Sequence, residues 1–512
     1  MHIKNIIEKI FSLLAISTLA ILTTTALLRT EIFPVNYIER PQNGPIYALI
    51  GSTFTLVVIA TIFLIRHKQV NLSIDQLHKA QSFIIIFFGL TWLAIATTGA
   101  VADQGISLTI ANQLRDGDIE IIKQNGYLQQ YPFQSGYILF CSLISYLFGK
   151  YNMLLPIRFF NLGMAILSIK TLCKLSETIF KNEKTVKICI ILSTAFTPFI
   201  FFSTFIYGNM PSISMCLISC YLQQKIISSP ELSKKNLGYI LGASIALFCA
   251  VWFKPNSLIF LVGIELIWAI SFIGTKKTIL IIGLVLMMFS YEAATHIPIS
   301  IVEKQTGISS KEAIPKSAWI AMGLQESPER APGWYNNYGP DLYDRTDHNA
   351  SETNRLAKQE IKNRITTFVN KPIYAAKFFG KKISSTWAEP TFQSLWISYG
   401  GTGGIRDDLN HSKLEQSITI GKLHSVYITY CDVIQNLVYI GALYCIVKKR
   451  RELTIVHLSL IIIFLGGAAF HLFWETKSDY VLPYFFLLIP YAAAGYSTFI
   501  QNKKWIPRHK EM

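Results

Sequence analysis

Charge is scarce in this chain: aspartate, glutamate, lysine and arginine make up 15% of its 512 residues, where soluble domains carry about 25%. Acids are the scarcer sign, 31 against 47 lysines and arginines. With 51% hydrophobic residues, this shortage excludes an ordinary soluble enzyme. Cysteine is missing from the long polar stretch 296–430, which excludes a disulfide framework there. The eight cysteines, Cys141, Cys173, Cys189, Cys216, Cys220, Cys249, Cys431 and Cys445, lie within or at the ends of apolar segments. Cys216 and Cys220 share a helix face but have no further ligands in range, so they read as small core residues. Internal repeats and low-complexity tracts are absent, as is a firm metal site or cofactor motif. The formal charge of +16 does not point to nucleic acid, because the basic residues sit in short loops between apolar runs.

Those apolar runs dominate what is present. Candidate spans fall near 10–28, 46–65, 81–101, 153–174, 186–203, 210–227, 237–253, 257–273, 277–293, 430–447, 454–470 and 480–499, the length of bilayer-crossing helices. The first, Ile10 to Leu28, is long for a signal-peptide core and lacks a small-residue cleavage site, so it reads as a retained anchor. Basic clusters occur at Lys4/Lys9, Arg66/Lys68/Lys79, Lys181/Lys184/Lys187, Lys234/Lys235, Lys276/Lys277, Lys448–Arg451 and Lys503/Lys504/Arg508. Placing all of them in the cytoplasm requires an even number of crossings between any two. A further run, Gln134 to Gly149, breaks that parity and is short for a span, so it is expected to lie in the outer interface or re-enter. The expectation is an all-α polytopic membrane protein of about twelve transmembrane helices with both termini cytoplasmic. The count becomes thirteen if 134–149 crosses.

Four regions follow: an amino-terminal helix pair, 1–79; a transmembrane core, 80–293, with a first external loop over 102–152; a large extracytoplasmic loop domain, 294–429; and carboxy-terminal helices with a basic tail, 430–512. In the first loop Ile106, Ile110 and Leu114 repeat every four residues, so 104–115 is expected to be an amphipathic surface helix. In the large loop Ser351 is expected to cap a helix carrying Ala357, Ile361, Ile365 and Phe368 and stopped at Pro372. The stretch Ile373 to Trp387 interleaves Tyr374, Phe378, Phe379 and Trp387 with Lys377, Lys381 and Lys382, a pattern suited to a helix on anionic headgroups.

Asp103 stands two residues beyond the apolar run Phe83–Val101. A carboxylate at a membrane boundary has little reason to be there for packing. Outside the cytoplasm there is no ready supply of nucleotide-activated sugars, so a group transfer there needs a donor delivered through the membrane, and a polyprenyl phosphate carrying a sugar fits. Phosphate leaves as a stabilised anion, so one carboxylate acting as base on the acceptor hydroxyl suffices, with cations offsetting the phosphate charge. The candidate cations are Lys150, Arg158, Lys254, Lys377, Lys381 and Lys477, each of which could equally be a snorkelling anchor. Asp116-Gly117-Asp118 has the acid-x-acid form of metal–nucleotide sites but faces the wrong side, and reads as a solvated turn.

Asp103-Gln104, Tyr131-Pro132-Phe133-Gln134-Ser135-Gly136 and Arg158-Phe159-Phe160-Asn161 resemble the first-loop pattern of GT-C glycosyltransferases, closest to bacterial relatives of dolichyl-phosphate-mannose–protein mannosyltransferases. Tyr207-Gly208-Asn209, Phe253-Lys254-Pro255, Met322-Gly323-Leu324, Gly333-Trp334-Tyr335-Asn336 and Trp474-Glu475-Thr476-Lys477 resemble motifs of a Gram-positive branch, and the likeness runs from about residue 81 onward. The resemblance implies a GT-C-like bundle with Asp103 as catalytic base. A basic residue, Lys254 first and Arg158 second, would hold the lipid phosphate, with Lys377 and Lys381 in support. It places Gln104, Tyr131, Gln134, Tyr207, Asn209, Trp334, Glu475, Lys477 and Asp479 at the substrate. The partners implied are membrane lipids, a polyprenyl-phosphate sugar, and a cell-surface glycan, polymer or protein acceptor. Two positions depart from the pattern: Asn209 stands where relatives often have an acid, and Asp479 precedes Tyr480 where they commonly have arginine.

Other residues stay open at this level. Glu475 and Asp479 around Lys477 form either an internally paired cluster or a substrate site. Trp319, Trp334, Trp387 and Trp396 could stack on sugars or belong to an interfacial belt. His348, His411 and His424 lack a matching ligand set and are expected to face solvent. Competing functions are a polysaccharide polymerase or ligase, and a lipid or sugar transporter in which Glu292 would be the membrane acid to test.

Overall fold

The computed structural model describes residues 2–33, 39–65, 72–96, 99–100, 102–229, 234–275, 277–398 and 412–501. His411 and the basic residues Arg66, Lys68, Lys276, Lys503, Lys504 and Arg508 lie outside them. Among the described residues the chain is almost wholly helical, with one two-stranded antiparallel ribbon, Glu31–Ile32 against Gln42–Asn43, between the first two long helices.

Nine described helices are long and apolar enough to cross a bilayer. Two further pairs, Glu183–Ala195 with Pro198–Thr204 and Ser478–Phe486 with Ile489–Gln501, are each bent by 49° and raise the count to eleven if each pair is one span. The chain is a polytopic membrane protein. The expected span 210–227 corresponds to the helix Asn209–Ile227, which carries Ser212, Ser214, Ser219, Gln223 and Gln224 and is buried along most of its length. It packs between Leu154–Phe180 and Lys234–Phe253, so its polar groups meet protein rather than lipid. Pro45–Ile65 shows the opposite pattern: Leu49, Phe54, Leu56 and Leu64 are exposed on its outer face, as a lipid-facing helix requires.

Gly441 and Gly495 set the closest approach between Lys422–Lys449 and Ile489–Gln501; a Cβ at Gly495 would overlap the Gly441 carbonyl oxygen. The amino-terminal pair is packed into this bundle. Ala15, Leu19, Leu22 and Ala26 of His2–Leu28 belong to the main core, and Thr30 Oγ1 donates to the buried Asp432 at 2.9 Å.

The first loop folds as the helix Asp103–Asp116, ended by Gly117 at φ 79°, followed by short helices and then by Ser135–Phe148. Asp116 pairs with Arg115 and with Lys150 at 3.7 Å. Ile314 N–H donates to the Gln130 carbonyl at 3.4 Å, and Gln129 Nε2 to Tyr343 OH at 3.3 Å, so segments 127–134 and 308–345 lie on one face of the bilayer. Six long or bent helices separate them. If all six cross, Ser135–Phe148 begins and ends on that same face. It lies along Asp103–Asp116, with Ser145 Oγ donating to Asn112 at 2.6 Å.

Three details of the large loop differ from expectation. Asn349, not Ser351, caps the helix Ala350–Asn370, its side chain accepting from Glu352 N–H; an amide oxygen two residues earlier reaches the free N–H groups of the first turn. Lys382 does not rest on headgroups. It is 1% exposed, and its ammonium donates to the Gly323 and Trp474 carbonyls at 2.6 and 2.8 Å. His424 is half-buried with Nδ1 against the Ile418 carbonyl, whereas His348 is exposed beside Asp344.

Candidate active site

Asp103 opens its helix with Ala102 before it at φ 51°, a strained turn that breaks the chain away from the preceding membrane helix. Its side chain stays exposed yet is walled by protein. Desolvation raises its carboxyl above the ordinary aspartate range, against the pull of Lys477 and a hydrogen bond with Tyr127. Tyr131 and Tyr335 share this surround and are hydrogen-bonded to each other. Tyr131 also packs against Tyr127 and Trp319, with ring centres 4.9 and 6.1 Å apart.

Lys477 faces Asp103 from the loop between Ile455–Phe473 and Ser478–Phe486. Its ammonium sits over the Tyr335 ring at 5.6 Å and donates to Glu39 at 2.7 Å. Glu39, from the loop between the first two membrane helices, is a site residue that sequence reasoning missed. Glu475 Oε1 and Asp479 Oδ1 are buried acceptors with no hydrogen-bond partner among the described residues, although both carboxylates act electrostatically on Lys477 and Lys254. Burial raises the Glu475 carboxyl to about 7, with Lys477 opposing the shift.

Lys254 forms the other half, at the break between Lys234–Phe253 and Leu258–Thr275. Its ammonium donates to Asn209 Oδ1 at 2.6 Å and lies 5.3 Å from the centres of both the Tyr207 and Tyr480 rings. Burial brings it down to about 8, while Asp479 and Glu475 pull it back. A cavity of about 30 Å³ beside it is lined by Asn209, Ser212, Asn256, Asp479 and Tyr480, among others, room for a water or two. Tyr207 joins the halves: Gln134 Nε2 donates to its hydroxyl, and Asp103, Asp479 and Glu475 all act on it.

The loops are tied together by backbone. Glu475 N–H donates to the Trp319 carbonyl at 3.2 Å and Thr476 N–H to the Gly333 carbonyl at 3.0 Å. Gly333 has φ 73° and lies against the Lys382 stem and the Gly323 carbonyl, where a Cβ would meet atoms at 2.6 Å. Only glycine fits both the backbone angle and the space.

Eight candidates therefore join Asp103 in one cluster: Tyr131 and Lys477 interact with it directly, and Tyr207, on which it also acts, leads to Gln134, Asn209, Lys254, Glu475 and Asp479. Five candidates do not. Gln104 is buried beneath, accepting from Ile206 N–H at 2.8 Å, and positions the loop that carries Tyr207. Arg158 is buried and donates to the Ala96 carbonyl at 3.0 Å, tying down the end of Ile74–Ile95. Trp334 is 1% exposed, its indole N–H on Ser385, and offers no face to a sugar; Trp387 and Trp396 are buried too. Lys377 and Lys381 are exposed along Pro372–Trp387, on the side adjoining the buried Phe378 and Lys382. Glu292 points out of the bundle and pairs with His296 at 3.2 Å, away from any interior path. Among the described residues no group of three or more His, Cys, Asp or Glu converges as a metal site.

No protein-family model matches the chain, and no curated protein matches it. Among solved structures it is similar to the crystal structure of the Archaeoglobus fulgidus oligosaccharyltransferase in the apo form, with 12% identity and a TM-score of 0.33. The match covers 71% of this chain and 42% of that one, so this chain spans less than half of that protein's length.

Proposed function

We propose that the protein is a GT-C-like membrane glycosyltransferase that moves a sugar from a polyprenyl-phosphate donor to a hydroxyl-bearing surface acceptor on the extracytoplasmic side. As the acceptor oxygen attacks the anomeric carbon, Asp103 takes its proton. The bond from that carbon to the phosphate oxygen breaks, the electron pair leaves on the phosphate, and the anomeric centre inverts. The products are the glycoside and the polyprenyl phosphate. Lys254 receives the phosphate charge, and Lys477 supports it from the Asp103 side. Lys377 and Lys381 serve as headgroup anchors.

One juxtaposition carries the reading: an accessible carboxylate of raised proton affinity stands beside Lys477, with Lys254 reached through Tyr207, in a polar cluster outside the long membrane helices. The unpaired oxygens of Glu475 and Asp479 are acceptors that sugar hydroxyls would satisfy. The two departures from the family pattern support one another. Asn209 holds Lys254 without neutralising it, and Asp479 supplies the acid acting on that lysine.

The test is transfer by the purified protein in liposomes from a synthetic polyprenyl-phosphate sugar, read by mass spectrometry as one added hexose or pentose. Asp103→Asn should lower it by about a hundredfold or more. Full transfer by that variant would overturn the proposal.

A further inference from the structure

We propose that Glu39 is a positioning residue of this site, holding Lys477 in place and in its charged form beside Asp103, so that the loop between the first two membrane helices belongs to the functional machinery. Only the activity arm of its test rests on the transferase reading.

Glu39 is 5% exposed and is met from three separate segments. Lys477 Nζ and Gln393 Nε2 donate to Oε1 at 2.7 and 3.0 Å, and Arg330 Nη1 lies 3.5 Å from Oε2. A buried carboxylate persists only when paired in this way. The groups facing Lys477 are Glu39, Glu475, Asp479, Asp103, Lys254 and the Tyr335 ring. Among the described residues Glu39 is the acid hydrogen-bonded to it, although Glu475 and Asp479 are far nearer in sequence. Burial alone would push the Lys477 ammonium down; Glu39, then Glu475 and Asp479, outweigh burial and hold it above the ordinary lysine value.

The described residues on either side of Glu39 are held by protein. Arg40 donates to the Pro328 carbonyl, Glu31 N–H donates to the Ala388 carbonyl at 2.9 Å, and Ser384 Oγ donates to the Glu31 carboxylate. The same clasp therefore grips the 324–337 segment that carries Tyr335 and the end of Pro372–Trp387.

The experiment acylates the full-length protein with an amine reagent over a range of pH and follows Lys477 by mass spectrometry. Glu39→Gln should raise Lys477 labelling at pH 8 by about tenfold for each unit its proton affinity falls, while exposed Lys381 labels as before. Transfer should drop at least tenfold. An unchanged Lys477 curve overturns the proposal, whether or not the yield of protein falls, because a merely structural residue would leave that curve alone. If Glu39→Gln does not insert, Glu39→Asp, which draws the carboxylate back by one methylene, is read on the same curve. A smaller shift in the same direction is expected, and no shift overturns the proposal. Labelling needs no substrate, so normal transfer by Asp103→Asn would sink the transferase reading while leaving the result on Glu39 intact.

Discussion

Charge decides much at Asp103. Replacing its carboxylate by an amide keeps the shape and removes the proposed base, so Asp103→Asn should cost about 10²–10⁴-fold in turnover without loss of thermal stability. In the proposed mechanism the ionised form is the working one, and desolvation raises the proton affinity of this carboxyl. The acidic limb of the rate profile should accordingly lie above the ordinary aspartate range, and a limb at or below it would contradict the assignment. Glu475 gives a stability test. Its carboxyl titrates near 7 when folded against 4.5 ordinarily, so between those values the folded state holds the extra proton and stability falls as pH rises. Above pH 7 the penalty is constant. Glu475→Gln should raise the melting temperature in detergent at pH 8 and leave it unchanged below pH 4.5. Asp103 stood out in the sequence because it lies just beyond the end of an apolar run. Glu39 was not, since nothing local distinguishes a buried loop carboxylate from a solvated one when its partner is 438 residues away.

Helices were read well where lipid dictated them, and less well at caps, as with Asn349 in place of Ser351, and where protein replaced lipid. Asn209–Ile227 tolerates five serines and glutamines because its neighbours cover it. The 135–148 helix was recognisable by its shortness, whereas the turn of Lys382 inward depends on two carbonyls from distant loops. Close packing of Lys422–Lys449 on Ile489–Gln501 makes a prediction at this scale. Gly495→Ala should lower stability by about 1–3 kcal/mol, as overpacking does, seen as a lower detergent melting temperature. Gly163→Ala, whose added Cβ meets nothing within 4 Å, should be neutral and serves as the control.

For the whole molecule, contact between segments 127–134 and 308–345 fixes their common side of the bilayer. Lys123 and Lys358 are both exposed there. Cysteines at these two positions should react with an impermeant thiol reagent applied outside intact cells, while one at Arg450, a single membrane helix further on, should not. Opposite labelling of Lys123→Cys and Lys358→Cys would refute the arrangement. The pairing of Glu39 with Lys477 also has a consequence for biosynthesis. Ribosomes add about 5–20 residues per second, so the first partner waits on the order of half a minute for the second to be made. Until the final pair of helices enters the bilayer, that early carboxylate must remain hydrated. The nascent chain therefore completes the Glu39–Lys477 pair late, and a product truncated before Lys477 lacks it.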